Sequence, residues 1–144
     1  MSALLDAIIN TATDGDQHLS VLLRKCLVLA HELKNERLKA WANQELNGYR
    51  AVDSVPEYRI VHADAKGTFM GPFGSEARNW PIPPVGLENE DKPFADRVCL
   101  RQAVSAYENA TAHPEGSISF PWPANMVVYY QRRFFKGHFA LISA

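Results

Sequence analysis

At 144 residues, with 47% hydrophobic and 22% charged side chains, the chain is long enough for one continuous core and too apolar to stay disordered. A formal net charge of −1 at pH 7 excludes the broad cationic surface on which phosphate-backbone binding relies. No apolar run reaches the roughly 18 residues that a membrane span needs, and Met1-Ser2 leads into Leu4, Leu5 and Asp6 rather than into a basic leader, so the chain is expected in the cytoplasm.

Ser2 suits the N-cap of a first helix in which Leu4, Leu5, Ile8, Ile9 and Ala12 form one stripe. Such a helix is unstable alone, so its stripe needs a partner surface. Thr13, Asp14, Gly15 and Asp16 break the pattern, and either Asp16 or Ser20 is placed to cap the next helix. Leu19, Leu22, Leu23, Cys26, Ala30 and Leu33 then share one helical face. After a joint at Lys34-Asn35, Leu38, Trp41, Ala42 and Tyr49 repeat the pattern, with Glu36, Lys39, Asn43 and Gln44 on the wet side. The two helices are expected to pack as a hairpin, with Gly48 as the left-handed residue that stops the second.

Val55-Pro56 turns the chain out of helical geometry. From Tyr58 to Thr68, Tyr58, Ile60 and His62 point one way and Arg59, Val61 and Ala63 the other, which predicts one or two strands with a turn or bulge at Lys66-Gly67. Residues 71–84, GPFGSEARNWPIPP, hold too many glycines and prolines for regular structure, while Phe73, Trp80 and Ile82 are too apolar for solvent. An ordered loop pinned to the core is expected there. Glu88 to Lys92 leads into a third long helix with Phe94, Cys99, Leu100, Ala103, Val104 and Tyr107 inward, ending at His113-Pro114. Ser117 to Phe120 reads as a short strand. Pro123 opens a helix through Met126, Val127, Tyr130 and Arg133 that Gly137 stops, and His138 to Ser143 reads as a last strand.

The expected fold is therefore α+β, a helical hairpin plus further helices packed on a small, mainly antiparallel sheet, in one domain over residues 1–144. Because the chain ends on the apolar FALISA, it is expected to be the N-terminal part of a longer protein.

LLRKCLVLAHELKNERLKAWANQELNGY, then VPEYR, then KGTFMGPFG resembles the AbiTii domain, a module at the N-terminus of bacterial abortive-infection and anti-phage defence proteins. The residues that carry the likeness are Leu22 to Lys25, Trp41, Glu45 to Tyr49, Pro56, Tyr58, Arg59, Gly67, Phe69 and Gly71 to Gly74. Ile118 to Pro123 is similar to a later IPWP-like stretch. Cys26 stands where an alanine is more usual, and the chain stops before a further helix of longer members. The resemblance implies a setting in phage defence rather than a reaction, and it supplies no catalytic residues to carry over.

Arg24, Glu45, Asn47, Tyr49, Tyr58 and Arg59 are the leading candidate binding set, grouped around the helix stop and the strand that follows. Arginines there receive a phosphate or carboxylate and tyrosines stack on a base, or Glu45 pairs with an arginine and the set simply holds helix to strand. The exposed part of the first stripe, Leu4, Leu5, Ile8 and Ile9, is a candidate self-association seam. Arg132, Arg133 and Lys136, interleaved with aromatics, offer a limited route to nucleic acid. No metal or cofactor is expected: the histidines, His18, His31, His62, His113 and His138, stand singly, and no HxxxH, HxH, HExxH, GxGxxG or Walker-type spacing occurs. Cys26 and Cys99 belong to no CxxC pair and read as buried thiols on helix faces. The expected function is a non-catalytic interaction and assembly module whose partner is a second copy or a downstream effector domain. The alternative is a toxin-like effector acting on nucleic acid, nucleotides or membrane, or a small-ligand sensor.

Overall fold

A computed structural model describes residues 2–112 and 117–144, and the helix end expected at His113-Pro114 lies outside them. In chain order the elements are α1 (Ala3–Thr13), α2 (Leu19–Glu32), α3 (Glu36–Asn47), β1 (Ile60–His62), β2 (Lys66–Met70), β3 (Glu76–Pro81), α4 (Pro93–Asp96), β4 (Arg97–Cys99), α5 (Val104–Thr111), α6 (Ala124–Tyr130) and β5 (Ala140–Ser143). The class is α+β, and every strand pairing is antiparallel. The chain divides into two compact units, Met1–Val55 with Arg101–Ile118, and Pro56–Leu100 with Ser119–Ala144.

The first unit is helical. Ser2 caps α1 as its sequence position implies, its Oγ accepting the Leu5 N–H at 3.3 Å. The ammonium of Lys25 on α2 donates to Thr11 Oγ1 and Ala7 O of α1, which sets a cation by the negative end of that helix. Neither Asp16 nor Ser20 caps α2 with its side chain. His18 occupies the cap position without a side-chain bond, and the carboxylate of Glu108 on α5 accepts the Ser20 N–H instead. A remote side chain thus satisfies an orphan donor that local sequence leaves open.

The α2–α3 hairpin forms at the expected joint. Lys34 takes a positive φ of 52°, and Asn35 Oδ1 caps α3 by accepting the Leu38 N–H at 3.0 Å. Leu23, Ala30, Ala42 and Tyr49 are buried, whereas Leu19 and Leu33 at the ends of the stripe remain 50% and 62% exposed. The buried face is therefore shorter than the spacing predicts. Gly48 stops α3 at φ 90°, with its N–H on Gln44 O at 2.8 Å. A Cβ there would lie 2.8 Å from the backbone oxygen of Arg101, so glycine serves both a left-handed turn and a close chain approach. The next residue secures that approach, Tyr49 N–H donating to Arg101 O at 2.7 Å.

The second unit holds both sheets. β1 pairs with β4, register Ile60↔Cys99 and His62↔Arg97, and the other sheet has the order β3-β2-β5. The third long helix expected from Phe94 to Tyr107 is not one helix: α4 is a single turn, Arg97 switches to extended backbone at φ −147°, and α5 starts only at Val104. Backbone pairing with β1, extended by Leu100 N–H on Arg59 O at 2.8 Å, overrides the helical spacing of the side chains. Cys99 consequently sits half-buried on a strand rather than on a helix face, while half-buried Cys26 does lie on α2, its thiol pKa raised by burial.

The expected loop at 71–84 is also corrected. Its middle, Glu76–Pro81, is strand β3, folded back on β2 by a tight turn at Pro72 to Ser75. Arg78 and Asn79 face the single residue Thr68 in a bulge, and Asn79 takes the positive φ of 53° that the extra residue requires. Ile82 is buried as expected, but Phe73 and Trp80 are not. Ser117 to Phe120 forms no strand, and α6 ends at Tyr130, short of Arg133, so that Gly137 closes a later single turn. The core of this unit gathers Phe69, Ile82, Leu87, Ala95, Trp122, Met126, Tyr130 and Leu141.

Candidate functional site

Three of the six candidate polar residues, Glu45, Tyr49 and Arg59, are buried in the scaffold, and Arg24, Asn47 and Tyr58 are exposed. Glu45 and Tyr49 lie four residues apart at the end of α3, where helical periodicity brings them together. The Tyr49 hydroxyl donates to Glu45 Oε1 at 2.6 Å, and both residues are only 4% exposed. That is a charge-assisted bond in a dry setting, suited to fixing the helix stop. Asn47 is exposed and donates from Nδ2 to Asn43 O at 2.9 Å, within its own helix. Arg24 is exposed on α2.

In the second unit, Glu57–Arg59 form one turn of 3-10 helix that sends the two remaining members opposite ways. Tyr58 is exposed. Arg59 is 5% exposed and donates from Nη1 to Leu100 O at 2.8 Å, beside the backbone bond that the two residues already share. A buried arginine donating to a backbone carbonyl fastens the β1–β4 pair.

Along α1, Leu4, Leu5 and Ile8 are half-buried and Ile9 is 45% exposed; Thr11 is the buried residue of that helix. The candidate seam residues thus share a helix that turns part of its apolar stripe to solvent. In the basic stretch, Arg133 is held on three sides: Nη1 donates to Glu88 Oε1, Nη2 donates to the Tyr129 hydroxyl at 2.8 Å, and its guanidinium carbon lies 4.4 Å from the Tyr129 ring centroid. Arg132 is exposed, and the Lys136 side chain lies outside the described residues.

The neighbouring Tyr130 is wholly buried, accepting the Glu88 N–H at 2.9 Å and donating to Asp91 Oδ2 at 2.6 Å. Burial raises its phenol pKa, and the bond to Asp91 adds to the effect.

His18 lies 4.0 Å from Glu108 and His62 3.4 Å from Asp64, and His113 lies outside the described residues. Among the described residues no three His, Cys, Asp or Glu side chains converge as metal ligands would. No described helix is long and apolar enough to cross a membrane.

Two features of the second unit escape a reading by spacing alone. One is a cleft of about 570 Å³ lined by His62, Asp64, Lys66, Trp80, Ile82, Pro83, Pro84 and their neighbours. Its signal in the sequence is the WPIPP run: Pro81 still lies in β3 and Ile82 N–H still bonds to Ala65 O, but Pro83-Pro84 has no N–H to carry the ladder further. The other is Phe73, the most exposed large hydrophobic residue described.

A family model described as AbiTii matches residues 3–143. No curated protein matches the chain, and no solved structure does.

Proposed function

The chain belongs to the AbiTii family, whose setting is bacterial abortive infection and defence, and from that premise we propose that it is a non-catalytic interaction module assembling with itself or with a downstream effector domain. The observation that carries this reading is how polar and apolar groups are distributed. Glu45 and Arg59, the charged residues best suited to chemistry, are buried and bonded to their own fold, while apolar side chains of α1 stand partly in solvent. A catalytic site needs its charged groups where substrate reaches them, and an assembly surface needs apolar groups there instead.

Leu4, Leu5, Ile8 and Ile9 are the proposed seam, and a second copy is the first partner to test. Light scattering across a concentration series is expected to give a mass above one chain that is lowered in Ile8→Asp. A native chain that is monomeric throughout sinks self-assembly through this seam.

A toxin-like effector is favoured by one observation, the exposed ring of Tyr58 close to the β1 strand. Expression of the chain in bacteria separates the two readings. Growth arrest that is abolished by Tyr58→Ala, in a variant that still folds, supports the effector; unaffected growth supports the assembly module.

A further inference from the structure

The turn at the tip of the β2–β3 hairpin presents Phe73 in a manner that folding alone does not call for. Ser75 N–H closes the turn on Pro72 O at 3.1 Å, and both central residues have positive φ, 57° at Phe73 and 74° at Gly74. Turns of this kind favour Asn, Asp or Gly at both places, because a left-handed backbone crowds the Cβ of anything larger. Phe73 is also 108% exposed, so the strained ring gains no burial within its own chain. Ser75 stiffens the tip further, its Oγ donating to Pro72 O at 2.7 Å. An aromatic held rigidly, against its backbone preference and bare to water, has the character of an anchor residue.

The same hairpin borders a cleft at its other end. Register runs from Met70↔Glu76 at the tip to Lys66↔Pro81 at the base, where the cleft opens between Trp80, Ile82, Pro83 and Pro84. Its volume of about 570 Å³ compares with about 150 Å³ for a cavity that already admits benzene. Trp80 is half exposed on its wall and already makes an edge-to-face contact with Phe135 at 5.7 Å, which leaves indole surface for a second ring. Charges match as well: Glu76 stands beside the tip and pairs at 3.0 Å with Arg78, two residues further along β3, and Asp64 and Lys66 stand on the rim of the cleft.

We propose that Phe73 of one copy seats in the Trp80–Pro84 cleft of a second copy, with Arg78 facing Asp64 and Glu76 facing Lys66. This contact goes beyond the α1 seam and does not depend on it. Each copy offers one tip and one cleft, so a reciprocal pair and a head-to-tail chain both satisfy it.

Sedimentation velocity in an Ile8→Asp background, with the α1 seam silenced, isolates the contact. The parent is expected to associate as concentration rises, while Phe73→Ser, which lacks the tip, and Trp80→Glu, which lacks the cleft, each stay monomeric. Mixed together, the two variants restore one another: an intact tip meets an intact cleft, and the mass rises twofold and stops. Asp64→Lys, an exposed rim change, weakens association at least tenfold and serves where Trp80→Glu folds poorly. A parent that never associates, or a mixture that stays monomeric, overturns the proposal. So does a monomeric parent that floats with anionic phosphatidylserine vesicles in a Phe73-dependent way, an outcome that assigns the tip to a membrane.

Discussion

The Ser20 N–H at the start of α2 is bonded at 2.8 Å to Oε1 of Glu108, a carboxylate 88 residues further along the chain. An anion beside the first turn of a helix satisfies an orphan donor and opposes the helix dipole together. Burial by itself raises the Glu108 pKa, but hydrogen bonds from Ser20 and Leu19 and the nearby His18 outweigh it, so the carboxyl titrates below its ordinary range.

A depressed carboxylate pKa stabilises the folded state above the unfolded value, about 4.3 for glutamate, and that stability is lost as pH falls through the lower folded value. The melting temperature of the native chain is therefore expected to drop more steeply between about pH 5 and pH 3 than that of Glu108→Gln, whose amide oxygen still accepts but does not titrate. Glu108→Ala, which removes the acceptor, is expected to cost about 1 kcal/mol at neutral pH. Thermal melts over a pH series decide it, and parallel acid limbs for the native chain and Glu108→Gln contradict it.

Gly48→Ala tests the helix stop. The added methyl meets the Arg101 backbone oxygen at 2.8 Å, and φ 90° disfavours any side chain. A loss of about 1–3 kcal/mol is expected from the strain, read as a lower urea midpoint with an unchanged slope. Gly15→Ala, where a Cβ meets nothing within 4 Å, is the control and is expected to stay within about 0.5 kcal/mol of the native chain.

Tyr130→Phe removes one hydroxyl that serves both Glu88 N–H and Asp91. Leaving those partners without it is expected to cost about 1–3 kcal/mol. Tyr129→Phe, at an exposed ring, is expected to cost about 0.5 kcal/mol or less. Equal losses in urea denaturation contradict this division of labour.

Phe73→Asn separates strain from contact. Asparagine tolerates the left-handed backbone, so the isolated chain is expected to gain about 1 kcal/mol and to melt about 3 °C higher. A lower melting temperature at low protein concentration contradicts the strain assigned to this turn.

The features legible in the sequence are those set by near neighbours. Ser2 capping Leu5 and the hairpin joint at Lys34-Asn35 follow from local residue chemistry, and the burial of Leu23, Ala30 and Ala42 follows from helical periodicity. What stayed hidden depends on partners far along the chain. Arg97 to Cys99 carries side chains at helical spacing but pairs with Ile60 to His62, and nothing within the segment announces that ladder. The cap of α2 comes from Glu108 for the same reason. The GPFG turn carries no hairpin signal in its sequence, because Phe73 occupies a place where asparagine or aspartate is the usual mark. Of the candidate set, a reading that pairs Glu45 with Arg24 or Arg59 leaves out the Tyr49 hydroxyl that Glu45 accepts, and the inward turn of Arg59 depends on Leu100, 41 residues further on.

Sedimentation equilibrium of the chain and of Ile9→Asp, both carrying Phe73→Ser to remove the hairpin tip, tests the assembly surface most directly. Ile9 is exposed, so its replacement spares the core. The α1 seam predicts self-association that weakens at least tenfold in Ile9→Asp while helical content is unchanged. A single-chain mass for both proteins at every concentration, or equal association by both, contradicts it.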